Sequence, residues 1–328
     1  MKSNWRIFDT AESHYVLSTD EEGLRLHVRS HHNVDGAPVL FVHGATFPGR
    51  SFDVPYPGAS WLRACQAAGH SAYAMDIRGY GRSLSARMLE TTKPYGRARD
   101  AIKDISDVID WLQQRHNGRQ IFLVGSSWGS ITTSLFTSAG RQQKVCGLIL
   151  YAPIYGEKND GWIDLLADPA DRSRFNPAWG AFRLIDETQI RVRGDFEIPS
   201  DKIADWRDEE IYQTSIDSSL AEDPTSSDHN PPAFRAPNGT LQDLWSCFTG
   251  RPIFQPGAIT CPSLLIRGSA DVTSTRRDAL QLFDKLGTGE KRYIEIANGS
   301  HFLSAERNAW QVFDETNAFI SSILARQR

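Results

Sequence analysis

IFLVGSSWGS, residues 121–130, runs four apolar residues into a glycine, two serines, a tryptophan, a second glycine and a further serine. An apolar run without polar alternation is what a strand covered on both faces shows. The residues that follow, ITTSLFTSA (131–139), read as a helix. The junction fits G-x-S-x-G with Ser127 at its centre. Glycines two residues to either side, Gly125 and Gly129, let the chain turn sharply without a Cβ clash, so that Oγ stands above the edge of a sheet. A plain Gly/Ser turn before a helix is the alternative reading. The strand–turn–helix setting favours a nucleophile elbow.

The same kind of run recurs as PVLFVHG (38–44), HSAYAMD (70–76), VCGLILYA (145–152), PSLLIRG (262–268) and KRYIEIA (291–297). Between these runs lie stretches with helical spacing, such as Asp104, Val108, Trp111 and Leu112, or Leu280, Leu282, Phe283 and Leu286. Strands alternating with helices predict right-handed crossovers and a mainly parallel α/β sheet. YVLSTDEEGLRLHVRS (15–30) reads as an antiparallel hairpin at one edge.

The pattern breaks between residues 154 and 256, where aromatic residues are strewn among charges. This stretch carries 19 acidic against 10 basic side chains, a balance of −9, whereas the whole chain stands at −4. It reads as a mostly helical insertion lying as a lid over the carboxyl ends of the strands, where open sheets bind ligands. Residues 1–153 and 257–328 would form the core. TSSDHNPPAFRAPNGT (225–240) reads as its least regular part, a loop.

A 328-residue chain with net charge −4 has no basic face for phosphates, which argues against nucleic acid as a partner. No stretch of 18 apolar residues predicts a membrane span, and the first residues, MKSNWRIFDTAESHYV, have no apolar core of a signal peptide. The expectation is a cytoplasmic protein; oligomeric state is not legible. The four cysteines, Cys65, Cys146, Cys247 and Cys261, are scattered without metal-ligand spacing and are expected to be reduced and buried.

A serine hydroxyl is a poor nucleophile at neutral pH and requires a base, which in turn requires an orienting carboxylate. Asp271 follows the run PSLLIRG, and His301 follows KRYIEIA. Asp271 could instead cap the helix after it. Asp76 precedes the serine and suits a structural loop. Among the histidines, His43 is expected to stabilise its own loop, and His31, His32, His116 and His229 read as solvated.

Ser127, Asp271 and His301 in that chain order, with FVHGATFPG (41–49) and DIRGYGRS (76–83), resemble an α/β-hydrolase-fold serine hydrolase with a cap domain over nearly the whole length. The resemblance implies an eight-stranded, mainly parallel sheet with helices on both faces. It also implies an oxyanion hole from the backbone N–H groups of Ala45 and Trp128, with Thr46 a second candidate for the loop donor. No metal or organic cofactor is implied. The expected function is a serine esterase acting on a small-molecule ester or lactone through an acyl-enzyme. The acidic insertion suggests a bulky amine-bearing substrate such as a macrolide.

Three other functions stay open, one of them an acyltransferase using the same acyl-enzyme. GSSWGS also resembles the elbow of prolyl aminopeptidases, although those carry HGGPG where this chain has HGATFPG. A slow or non-catalytic ligand receptor on the same fold is the reading from another class. Thr46, Phe47, Phe52, Tyr151 and Tyr155 are candidates to line the substrate pocket, and Arg50 and Asp53 are further candidates for substrate contacts.

Overall fold

A computed structural model describes residues 5–327. Along the chain come strands β1 (Glu12–Leu17), β2 (Arg25–His31) and β3 (Pro38–Val42), helix α1 (Trp61–Ala67), β4 (Ser71–Met75), α2 (Ala86–Glu90), α3 (Ala98–Arg115), β5 (Ile121–Ser126), α4 (Trp128–Phe136) and β6 (Val145–Tyr151). A long segment follows with α5 (Asp160–Leu166), β7 (Ala167–Asp168), β8 (Asp171–Phe175), β9 (Phe182–Asp186), α6 (Glu187–Asp195), α7 (Ile203–Trp206), α8 (Glu209–Leu220), β10 (Ala233–Pro237) and α9 (Gly239–Phe248). The chain then completes the core with β11 (Ser263–Gly268), α10 (Arg276–Lys285), β12 (Lys291–Ile296) and α11 (Ala309–Leu324).

Eight strands form one sheet in the order β1-β2-β4-β3-β5-β6-β11-β12. The edge hairpin β1–β2 and the β2–β4 pair are antiparallel, and the other neighbours run parallel. Every residue of β3, β4, β6 and β11 is buried, which is why these runs show no polar alternation. The period of two still sorts their side chains. Leu40, Val42, Tyr73 and Met75 pack on the face covered by Ile105, Val108 and Leu112 of α3. Val39, Phe41, Ala72 and Ala74 pack on the opposite face, beneath Trp61 and Leu62 of α1 and Phe313 and Ile320 of α11.

Between β6 and β11 the chain is not helical throughout. Two antiparallel ribbons, β7–β8 and β9–β10, interrupt the helices. Residues 225–240, expected to be a loop, contain β10, in which Phe234 pairs with Ile185 and is buried. These strands are two to five residues long and flanked by Pro and Gly, too short for periodicity to register. Among the described residues no helix is long and apolar enough to cross a membrane. The four cysteines are free and buried.

Candidate active site

The chain leaves β3 toward β4 on one side, then crosses to β5 on the other, so a crevice opens at the carboxyl ends of β3 and β5. Ser127 sits at this reversal with φ 55° and ψ −119°, a conformation that disfavours a Cβ. Its N–H donates to the Tyr151 carbonyl (2.9 Å), and its own carbonyl accepts from Ser130 N–H (2.8 Å), which starts α4 at once. The flanking glycines are sterically required. A Cβ on Gly125 would lie 2.3 Å from Thr133 Oγ1 and 2.4 Å from the Gly129 carbonyl oxygen, and one on Gly129 would lie 2.2 Å from the Val42 carbonyl oxygen.

The three residues singled out by chain order meet here. Ser127 Oγ is 2.9 Å from His301 Nε2, and His301 Nδ1 is 2.8 Å from Asp271 Oδ2. A carboxylate at Nδ1 holds the proton there and leaves the Nε2 lone pair facing the serine hydroxyl. Asp271 is fixed in turn, since its Oδ1 accepts from the N–H groups of Thr273 and Ser274, both at 2.8 Å. It does not cap the following helix. Thr275 does, through Oγ1 to Asp278 N–H (3.1 Å).

The candidate oxyanion donors flank the hydroxyl. Gly44 lies against Ser127, and the carbonyl of Ala45 is held by Tyr80 Oη and Arg183 Nη2, both at 2.7 Å. The backbone N–H groups of Ala45 and of Trp128, the first residue of α4, are given to no other acceptor among the described residues. The Trp128 side chain is buried, with its indole N–H 3.2 Å from Asp243 Oδ2. His43 supports the loop. Its Nδ1 meets the Gly44 carbonyl (2.8 Å), its Nε2 accepts from Ile77 N–H (3.0 Å), and burial holds its pKa below the usual imidazole value. Asp76 accepts from Gly49 N–H, Arg82 N–H and His27 Nδ1, a structural role.

A cavity of about 80 Å³ opens on Ser127 and His301, with Thr46, Phe47, Phe52 and Tyr151 in its wall. A separate void of about 40 Å³ shares Phe47 and Phe302 with it and is lined on the other side by Ile190, Tyr212 and Ile216. Tyr151 also buttresses the histidine, donating from its hydroxyl to the His301 carbonyl (3.0 Å) and accepting from Ser304 N–H (3.1 Å). Larger open depressions of about 670 and 580 Å³ lie around Cys146 at the opposite ends of the strands, away from these groups.

Several expectations are corrected. Tyr155 lies outside the cavity; its ring packs edge-on to Phe254 under the Lys285 ammonium. Arg50 and Asp53 are buried in an ion network with Asp9, Arg29 and His31 and do not face the cavity. His31 and His116 are not solvated. They bond Asp53 Oδ1 (3.0 Å) and Tyr73 Oη (2.8 Å) in buried settings.

Sequence reading missed Arg193 and Glu197, which the segment between β6 and β11 brings to the site. Arg193 lines the cavity with Trp162 and Leu244 of the same segment. Glu197 Oε2 accepts the backbone N–H of His301 at 2.6 Å. An Arg near the end of a charged helix and a Glu in the turn after it carry no signal that separates them from a wet surface. No carboxylate lines the cavity among the described residues.

Comparison with known proteins agrees with this fold. The pattern described as the Alpha/beta hydrolase family matches residues 39–312. A search of curated proteins finds no match. Among solved structures, a bromoperoxidase from Bacillus anthracis superposes with TM-score 0.62 at 17% identity, covering 94% of this chain and 100% of that one. A thermophilic esterase from Thermogutta terrifontis gives 0.60 at 16%, covering 95% and 99%. An epoxide hydrolase from Vigna radiata gives 0.61 at 17%, covering 95% and 98%. Likenesses this distant speak for the fold.

Proposed function

This chain belongs to the alpha/beta hydrolase family, and from that premise we propose that it is a serine hydrolase cleaving a carboxylic ester or lactone through an acyl-enzyme. The observation that carries the reading is the unbroken hydrogen-bond chain from Ser127 Oγ through the His301 ring to Asp271. His301 Nε2 takes the hydroxyl proton as Oγ attacks the substrate carbonyl. The oxyanion that forms takes hydrogen bonds from the N–H groups of Ala45 and Trp128, each such donor worth about two to three powers of ten in rate. The imidazolium, stabilised by Asp271, then returns the proton to the departing alcohol oxygen. Water repeats the sequence on the acyl-enzyme and releases the acid. A serine at the elbow argues against the carboxylate nucleophile that epoxide-opening and dehalogenating relatives of this fold use. Only these side chains and a water molecule are needed.

We read residues 154–256 as a cap, a reading supported by Trp162, Arg193 and Leu244, which they contribute to the cavity wall. With the cap in this position, about 80 Å³ suits a short acyl group, well below the roughly 300–1,000 Å³ that drug-sized ligands occupy. A macrolide would require the cap to lift. The aminopeptidase reading loses ground for a separate reason: a free amine needs a carboxylate in the wall, and this wall offers Arg193 instead. The same argument counts against selection for an amine-bearing ester.

The test is labelling with a fluorophosphonate probe together with hydrolysis of p-nitrophenyl acetate and butyrate, with Ser127→Ala as control. Labelling and turnover are expected for the natural protein. The variant should lose labelling and at least about 10³-fold in rate. Undiminished turnover in Ser127→Ala would reject the assignment, and labelling without turnover would leave the receptor reading.

A further inference from the structure

We propose that Glu197 is a positioning residue for this reaction: its carboxylate reaches down from the cap and holds the His301 loop in line with Ser127. The inference rests on the serine-hydrolase reading and adds a member that chain order does not reveal.

The hydrogen bonds form a clasp. Glu197 is almost wholly shut off from water, with its side chain 1% exposed. A carboxylate so placed is costly unless its oxygens are matched by donors. Its Oε2 takes the backbone N–H of His301 (2.6 Å), and its Oε1 takes Arg193 Nη2 (3.1 Å). The same Nη2 donates to Thr273 Oγ1 (2.7 Å), and Thr273 N–H donates to Asp271 Oδ1 (2.8 Å). The loop carrying the base and the loop carrying the acid are therefore joined twice, once through the ring of His301 and once over the top through the cap.

The anchorage of His301 shows what the clasp is for. Its carbonyl is held from the sheet by Tyr151 Oη (3.0 Å), while its N–H is held from the cap by Glu197. The preceding N–H, that of Ser300, goes to another buried carboxylate, Glu306 (3.2 Å), whose other oxygen takes the Ser300 hydroxyl. Consecutive amides are thus fixed by separate carboxylates, and the direction of the imidazole is set by backbone held on both sides. A residue needed only for folding of the cap would bond within the cap. Glu197 places one oxygen on the catalytic loop and the other on an arginine that also grips the acid's loop.

A displacement of a catalytic group by about 1 Å costs on the order of a hundredfold in rate. Glu197→Ala is therefore expected to lower kcat by about ten- to a hundredfold, with KM changed less than about threefold. Glu197→Gln keeps an oxygen acceptor for His301 N–H and should recover kcat to within several-fold. The second readout does not depend on turnover. The far-downfield proton resonance of His301 Nδ1–H, held by Asp271, should broaden or shift in Glu197→Ala and persist in Glu197→Gln. An unchanged resonance and kcat in Glu197→Ala would overturn the proposal. So would a Gln variant as damaged as the Ala variant, or a loss confined to KM. If the natural protein neither labels nor turns over ester, the functional reading fails on its own, and the resonance still decides the role of Glu197.

Discussion

Asp271 and His301, 30 residues apart, are joined at 2.8 Å from Oδ2 to Nδ1, and the other oxygen of Asp271 is already committed to two backbone N–H groups. Asp271→Asn can keep those two bonds through its carbonyl oxygen and turn its amide NH₂ toward Nδ1. That forces the proton onto Nε2, where it no longer accepts from Ser127. The expected result is an intact fold with kcat reduced about 10²- to 10⁴-fold. Steady-state kinetics and a thermal melt on the same sample check it, and a variant retaining most of its kcat would contradict the tautomer argument.

The elbow makes a steric prediction. A Cβ on Gly129 would press 2.2 Å from the Val42 carbonyl oxygen, which belongs to a fully buried strand and cannot step aside. Gly129→Ala should lose roughly 1–3 kcal/mol in urea denaturation and most of its activity, since the turn carrying Ser127 must shift. Gly289→Ala is the control, because no heavy atom lies within 4 Å of a Cβ there. Equal stability of the two variants would contradict the close approach.

Backbone strain at Ser127 can be separated from its chemistry. With φ at 55° and ψ at −119°, the residue occupies a region that glycine adopts readily and other residues do not. Ser127→Gly and Ser127→Ala are both expected to be inactive, yet the glycine variant should be the more stable of the two by about 1 kcal/mol. Equilibrium unfolding of both decides; a more stable alanine variant would show that the elbow stores no such strain.

Glu306 predicts a pH dependence of stability. Burial, with the charge of Glu197 adding to it, pushes its carboxyl from an ordinary 4.5 up to about 7. Between these values the folded protein keeps a proton that the unfolded chain releases, so this group's contribution to stability falls as pH rises from 4.5 to 7 and stays low above that. Glu306→Gln should match the natural protein near pH 4.5 and exceed it by on the order of 1–3 kcal/mol at pH 8. Urea titrations at several pH values test it; parallel profiles would show that Glu306 ionises normally.

The parts of the molecule that were legible in its sequence are those governed by local pattern. Buried parallel strands announce themselves as unbroken apolar runs. The elbow shows because Gly125 and Gly129 have no substitutes, and Asp271 and His301 show because each follows an apolar strand run, in the chain order of the family that the sequence resembles. What stayed hidden depends on side-chain direction or distant pairing. Tyr151 is the last residue of β6 and Tyr155 lies four residues beyond it, but the Tyr155 ring turns toward Phe254. Arg29 meets Glu222 across 193 positions, so the ion network that buries Arg50 and Asp53 has no local signature. Arg193, near the end of α6, and Glu197, in the turn after it, look like ordinary surface charges until the fold brings them to His301.

The strands that precede and follow residues 154–256, β6 and β11, are hydrogen-bonded neighbours. The excursion therefore starts and finishes at adjoining points of the sheet, and it can lengthen, shorten or be traded for another without disturbing any strand register. A segment exchanged here would take Glu197 and Arg193 away with it, so any replacement must bring its own acceptor for the His301 N–H.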